Sequence, residues 1–310
     1  MPDFERLPKT IKPVHYQLDL TPNLQDFSIK GSETIDLKIL EETDLIKLNC
    51  LDIKITSATL NQQKLDLEKC LSYDEKNENC SFKLDSNLAK GDAKFYLEFD
   101  AILNDKLKGF YRSTYNNAEG EQKYCGVTQF ESTDARRCFP CWDEPAVKAE
   151  FTCSLTIDKK ILALSNMPEI KTENLEGDLV KHQFDKSPIM STYLLAFFVG
   201  EADFVSGKTK YGVEVRVFTP LGKKSHGEFA LHMGIKSLEF YEDYFDVKYP
   251  LPKCDQIGLD DFSAGAMENW GLVTYRSNCL LIDPENSSTA TKERVAIVVA
   301  HELAHQWFGK

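Results

Sequence analysis

The sequence predicts a mainly β N-terminal domain, an antiparallel β-sandwich or saddle over residues 1–205, followed by the first part of an α+β domain over residues 206–310. Three observations carry this expectation. Apolar and polar residues alternate with period two through the first part. Clusters of glycine, proline, asparagine and aspartate separate the alternating runs. After about residue 206 the apolar spacing becomes helical.

The alternation is clearest at residues 15–20 (HYQLDL), 34–39 (TIDLKI), 93–99 (AKFYLEF) and 150–157 (EFTCSLTI). Lys90-Gly91-Asp92, Asn166-Met167-Pro168 and Glu176-Gly177-Asp178 supply the turn chemistry between such runs. Residues 212–218 read as one more strand. Residues 227–246 carry Phe229, Met233, Ile235, Leu238, Phe240 and Tyr241 at helical spacing, and the Tyr249-Pro250-Leu251-Pro252 run stops that helix. Two short strand-like pieces follow, at 256–259 and 271–275. A second helix is expected from Ser288 or Thr289, capped by a hydroxyl, to about Phe308, with Gly309 as its end signal. It is apolar nearly all round, so burial is expected. A unit that ends on its own buried helix reads as incomplete.

Bulk properties narrow the function. The net charge is −12, so no basic patch is available to neutralise phosphates and no nucleic acid is expected. The longest apolar run, Tyr193 to Val199, is far too short to span a membrane, and no membrane is expected as partner. The first twenty residues lack the apolar segment of a secretory signal. Nine scattered cysteines then read as reduced thiols of a cytoplasmic protein. In that compartment the sequons at Asn79 and Asn286 are chance matches. Cys138 and Cys141 form a CxxC without a second pair or a βαβ context, so they read as structural thiols.

The chemistry is concentrated in HELAH, residues 301–305. His301 and His305 are four apart, one turn of a helix, which puts both imidazoles on one face. That spacing lets two neutral nitrogens reach one zinc ion at about 2.0–2.1 Å. Glu302 projects beside the metal without ligating it, where a carboxylate takes a proton from metal-bound water and passes it to a leaving amine. A catalytic zinc commonly has a third protein ligand. Asp260, Asp261 and Glu268 are upstream acids open to that role, and spacing does not choose among them. His15, His182, His226 and His232 lack ligand spacing.

HELAHQWFG together with Gly265-Ala266-Met267-Glu268-Asn269-Trp270-Gly271 resembles the gluzincin aminopeptidases, the aminopeptidase N family. Matching stretches at 4–8, 108–113, 128–137, 139–145 and 190–194 carry the likeness from one end of the chain to the other. The resemblance implies a β domain of aminopeptidase N type followed by a thermolysin-like catalytic domain with one Zn2+ per chain. It implies peptide substrates with a free N-terminal amine. Gly265, Ala266, Met267, Glu268 and Asn269 would lie along the substrate backbone, Glu268 and Glu131 would hold the amine, and Gln129 would stand nearby. Two carboxylates at a fixed distance from the metal suit an exopeptidase, because a cationic amine is what marks a chain end.

Trp142, Asp143 and Glu144 read as structural. The family's third zinc ligand, a glutamate on the next helix, and its transition-state tyrosine both fall beyond Lys310. The 310 residues alone are therefore expected to hold zinc weakly and turn over little. Cys138 and Lys310 depart from the family's usual residues. The alternative reading is a non-enzymatic truncated form acting as a peptide-binding or regulatory module.

Overall fold

The computed structural model describes residues 6–116 and 120–308. Phe4 and Glu5, Gly309 with its expected end signal, and Lys310 lie outside the described residues.

The expected fold class is what forms. An eight-stranded sheet runs in the order Glu169–Asn174, Leu179–Phe184, Glu150–Asp158, Ile11–Pro22, Ser28–Ile39, Gly91–Ile102, Lys54–Leu60, Gln63–Lys64. Its joints are antiparallel except one: Ile11–Pro22 lies parallel to Glu150–Asp158, with His15 opposite Glu150. Alternation sets which face is inward. Tyr16, Leu18 and Leu20 are buried, and Gln17 between them is exposed. Tyr16 stacks on Phe151 across the parallel joint, with ring centroids 5.1 Å apart. A three-stranded sheet (Thr43–Asn49, Asn79–Leu88, Leu71–Asp74) packs its Phe82 edge-on to Phe95 of the large sheet at 5.0 Å, which closes a sandwich. The structural reading of Asp143 fits its surroundings. It accepts from Arg136 Nε at 3.0 Å and Thr192 Oγ1 at 2.8 Å, at 2% exposure.

One inward position breaks the apolar pattern. Glu33 is 1% exposed, opposite Leu18 and Leu97, and neither carboxyl oxygen has a hydrogen-bond partner among the described residues. Burial pushes its carboxyl well above the ordinary 4.5. The folded state then holds a proton that the unfolded chain releases. The associated stability is full below the unfolded pKa and is lost as pH rises through the folded one. Glu33→Leu is therefore expected to raise stability at pH 8 by about 1–3 kcal/mol, the usual cost of an unsatisfied buried polar group, and by less at pH 4. Urea melts of variant and wild type at both pH values measure this. An equal difference at the two pH values would count against a titrating Glu33.

A four-stranded sheet (Leu162–Ser165, Phe197–Gly200, Gln122–Gln129, Gly109–Asn116) leads toward the second half. There a five-stranded sheet runs Asp203–Lys208, Glu214–Thr219, Lys253–Leu259, Leu272–Arg276, Ala266–Met267, parallel in its three central strands and antiparallel at both edges. The helix Glu228–Phe245 packs on it through Gly234, where a Cβ would lie 2.5 Å from Gln256 Nε2.

The second helix spans Thr289–Ala304, with Ser288 Oγ accepting from Thr291 N as the expected hydroxyl cap. Two expectations for it are corrected. The regular helix ends at Ala304 rather than Phe308, and His305 is its C-cap. The chain then turns, and Trp307 Nε1 donates to Val247 O at 2.9 Å. The helix is also buried on one face only. Val295, Val299, Glu302 and Leu303 are inside, and Ile297 is 62% exposed. Residues 295, 299 and 302 recur at helical spacing, and that stripe meets the fold. Tyr241 Oη donates to Ala300 O at 2.9 Å and fixes this helix against Glu228–Phe245. No helix among the described residues is long and apolar enough to cross a membrane.

Candidate active site

His301 and His305 sit at the last turn and cap of the Thr289–Ala304 helix. Their Nε2 atoms are 3.2 Å apart and their ring planes are nearly perpendicular, at 86°. His301 is exposed and His305 is half-buried, so the pair faces outward from the fold. Glu302, next along the helix, is 6% exposed and holds a carboxyl oxygen within 4.8 Å of a His305 ring nitrogen. Its Oε2 is buried without a hydrogen-bond partner among the described residues. Burial first, then the charges of Glu268 and Glu131, push its carboxyl up to about 7.

Glu268 arrives from the far edge of the five-stranded sheet. Ala266 and Met267 form a two-residue edge strand paired with Tyr275 and Thr274. Glu268 follows that strand, 9% exposed, with Oε1 3.9 Å from His305 Nδ1. Carboxyl oxygens of Glu268 and Glu302 and a ring nitrogen of His305 all lie within 4.8 Å of one another. The other two upstream acids are committed elsewhere. Asp260 accepts from Ser277 Oγ at 2.6 Å, and Asp261 accepts from Thr114 N at 2.9 Å.

Glu131 comes from the N-terminal part. The strand Gln122–Gln129 ends, Phe130 anchors the chain at 0% exposure, and Glu131 emerges into solvent at the site. Burial, then the charge of Glu268, raise its carboxyl pKa, and His305 partly offsets them. Gln129 lies two residues before it, 6% exposed, with a buried Oε1 that has no partner among the described residues.

The remaining expected residues divide by role. Gly265 is exposed, and a Cβ there would meet only Cys279 Sγ, at 3.9 Å, so the backbone stays open to close approach. Ala266 is half-buried on the edge strand. The side chains of Met267 and Asn269 turn into the core, each 1% exposed, and Asn269 Nδ2 donates to Thr274 Oγ1 at 3.1 Å. The side chains of these two are thus spent on the core.

Tyr193 had no assigned role in the sequence. Its phenol pKa is raised by burial, then by Glu268 and Glu131, which puts it in the same electrostatic cluster. Nothing in its spacing flags it, because its neighbours lie far along the chain in both directions.

Residues 12–194 match the Peptidase M1 N-terminal domain, and residues 229–310 match the Peptidase family M1 domain. The chain is 48% identical over 309 residues to a puromycin-sensitive aminopeptidase of Caenorhabditis elegans, covering 99% of this chain and 33% of that protein. It is 48% identical over 309 residues to aminopeptidase M1 of Arabidopsis thaliana (98% and 35% covered). Likeness to the endoplasmic reticulum aminopeptidase 2 of Bos taurus is 42% over 319 residues (98% and 33%). The chain spans about a third of the length of these curated relatives.

Proposed function

The chain belongs to peptidase family M1, and from that premise we propose that the polypeptide containing it removes N-terminal amino acids from peptides, with one zinc ion held by His301 and His305. The observation that carries this reading is the convergence of two imidazoles beside a buried carboxyl group. Two nitrogens bound at about 2.0–2.1 Å to a tetrahedral zinc stand about 3.3 Å apart, and the two Nε2 atoms are 3.2 Å apart. Neutral imidazoles among carboxylates are a donor set that suits zinc. When bound, the ion supplies a water acidified to a pKa near 7 and polarises a carbonyl.

The chain's own groups do the rest. Glu302 Oε2 takes a proton from the attacking water and passes it to the leaving amine as the peptide C–N bond breaks. Glu268 and Glu131 accept charge-assisted hydrogen bonds from the substrate's α-amine and so place the first peptide bond at the metal. The edge Gly265–Asn269 pairs with the substrate backbone by strand addition. Glu268 stands near His305, but this reading gives it to the amine, which leaves two imidazoles where catalytic zinc sites use three protein ligands. The 310 residues alone thus hold zinc weakly and turn over little. Nine cysteines scattered along the chain favour a reducing compartment, the cytoplasm.

The test uses the full-length polypeptide. It is expected to bind one zinc, cleave alanine and leucine p-nitroanilides, and ignore the same substrates once N-acetylated. Equal cleavage of the acetylated forms would overturn the aminopeptidase reading. Glu268→Ala is expected to raise KM for the free-amine substrates by about ten- to a hundredfold, since a hydrogen bond to a charged group contributes about 1.5–3 kcal/mol. An unchanged KM would remove Glu268 from amine binding.

A further inference from the structure

Asn166 follows the strand Leu162–Ser165 of the four-stranded sheet and is 2% exposed. Its side chain is fully used. Nδ2 donates to Leu194 O at 2.7 Å and to Trp270 O at 2.8 Å, and Oδ1 accepts from Ala196 N at 2.9 Å. Trp270 lies two residues past Glu268. The next carbonyl is captured too. The buried Lys253 Nζ donates to Gly271 O and to Ser165 O, each at 2.8 Å. Gly271 has φ +81°, and a Cβ on it would stand 2.2 Å from Asn166 O, so the two backbones touch.

Glu268 sits between two fixings. On its N-terminal side the ladder to Leu272–Arg276 stops at Met267. On its C-terminal side the Asn166 and Lys253 donors hold residues 270 and 271. Asn166 in turn belongs to the sheet that carries Glu131. Leu162–Ser165 pairs with Phe197–Gly200, which pairs with Gln122–Gln129, and Phe197 N donates to Thr128 Oγ1 at 2.9 Å. One short path of buried hydrogen bonds therefore joins the sheet under Glu131 to the loop under Glu268.

We propose that Asn166 is a positioning residue that sets the spacing of the two amine-binding carboxylates, Glu131 and Glu268, by tying the Trp270 carbonyl to the four-stranded sheet. The proposal rests on the aminopeptidase reading. Its physical basis is that recognition of one amine by two carboxylates from separate parts of the chain depends on their separation, and a misplacement of about 1 Å costs up to a hundredfold.

The test compares Asn166→Asp with wild type in the full-length polypeptide. The variant keeps Oδ1 for Ala196 N and sets a carboxylate oxygen against the Leu194 and Trp270 carbonyls. The readouts are zinc content, Tm, kcat and KM for leucine p-nitroanilide, and inhibition by leucine hydroxamate and by the same hydroxamate without its α-amine. Zinc content is expected to hold. KM is expected to rise about ten- to a hundredfold, with a matching loss of affinity for the amine-bearing hydroxamate alone. A merely structural role would lower Tm and apparent kcat through loss of folded enzyme, and KM and the preference for the amine-bearing hydroxamate would stay unchanged. That outcome overturns the proposal. If Asn166→Asp does not accumulate, Asn166→Ser, which keeps one donor, is read by the same criteria. A wild type without preference for the amine-bearing hydroxamate would sink the aminopeptidase reading itself, which separates the two failures.

Discussion

Replacing Glu302 with glutamine in the full-length polypeptide is expected to lower kcat by a factor of about 10³, within the range general acid–base groups contribute, and to leave zinc content and KM nearly unchanged. The substitution keeps shape and hydrogen-bonding reach. It removes the ability to carry a proton. Glu302 is 6% exposed and its Oε2 has no partner among the described residues, so no structural bond is lost with the charge. Removal of a buried negative charge next to Glu268 and Glu131 also relieves repulsion, so the fold should tolerate the change. A fall in kcat with constant KM identifies an interaction made in the transition state. Unchanged activity would take the proton-carrying role away from Glu302. Loss of zinc together with activity would show instead that Glu302 holds the helix end in place.

The residues legible in the sequence were those whose role is written in local spacing. His301, Glu302 and His305 share one helical turn, so their convergence follows from backbone geometry alone. The strands at 15–20, 93–99 and 150–157 were legible because one face of each is buried, as the alternation of Tyr16, Leu18 and Leu20 shows. Glu169–Asn174 was not, because every residue in it is exposed and its order comes from ladder bonds to Leu179–Phe184. The parallel joint at His15 and Glu150 was also hidden, since alternation says nothing about a strand's neighbour. At the site, Glu131 and the amine-binding role of Glu268 came only from the family resemblance, since spacing offered Glu268 merely as one of three upstream acids. Asn166 and Lys253 were out of reach because their partners are backbone carbonyls, which leave no mark on residue identity. The helix ran short of Phe308 for a similar reason. The turn there is held by Trp307 Nε1 on the carbonyl of Val247, sixty residues earlier.

Asp255→Ala is expected to destabilise the fold by about 3–5 kcal/mol, the usual cost of stranding buried charge. Asp255 is 0% exposed on the strand Lys253–Leu259. Arg216 grips it with two parallel bonds, Nε to Oδ1 at 2.6 Å and an Nη to Oδ2 at 2.7 Å. Lys253 Nζ reaches the same Oδ2 at 2.7 Å and is 3% exposed as a residue. One carboxylate thus balances two cations, one of them fully enclosed. Burial already lowers the Lys253 pKa, and Asp255 is the largest opposing influence. Without Asp255 that pKa falls further, so over the interval below the unfolded value the unfolded chain binds more protons than the folded one. Stability then rises with pH. The variant's deficit should accordingly be largest near neutral pH and shrink toward pH 10, as Lys253 gives up its proton and the stranded charge disappears. Urea melts across that range measure it. A deficit independent of pH would mean that lost packing, rather than the charge on Lys253, sets the cost. Lys253 also holds Gly271 O, so the same variant should loosen the loop that follows Glu268 and raise KM for free-amine substrates. Lys253→Met separates the two effects. It removes the enclosed cation together with its bond to the loop, so it should restore part of the stability lost in Asp255→Ala, and the raised KM should persist.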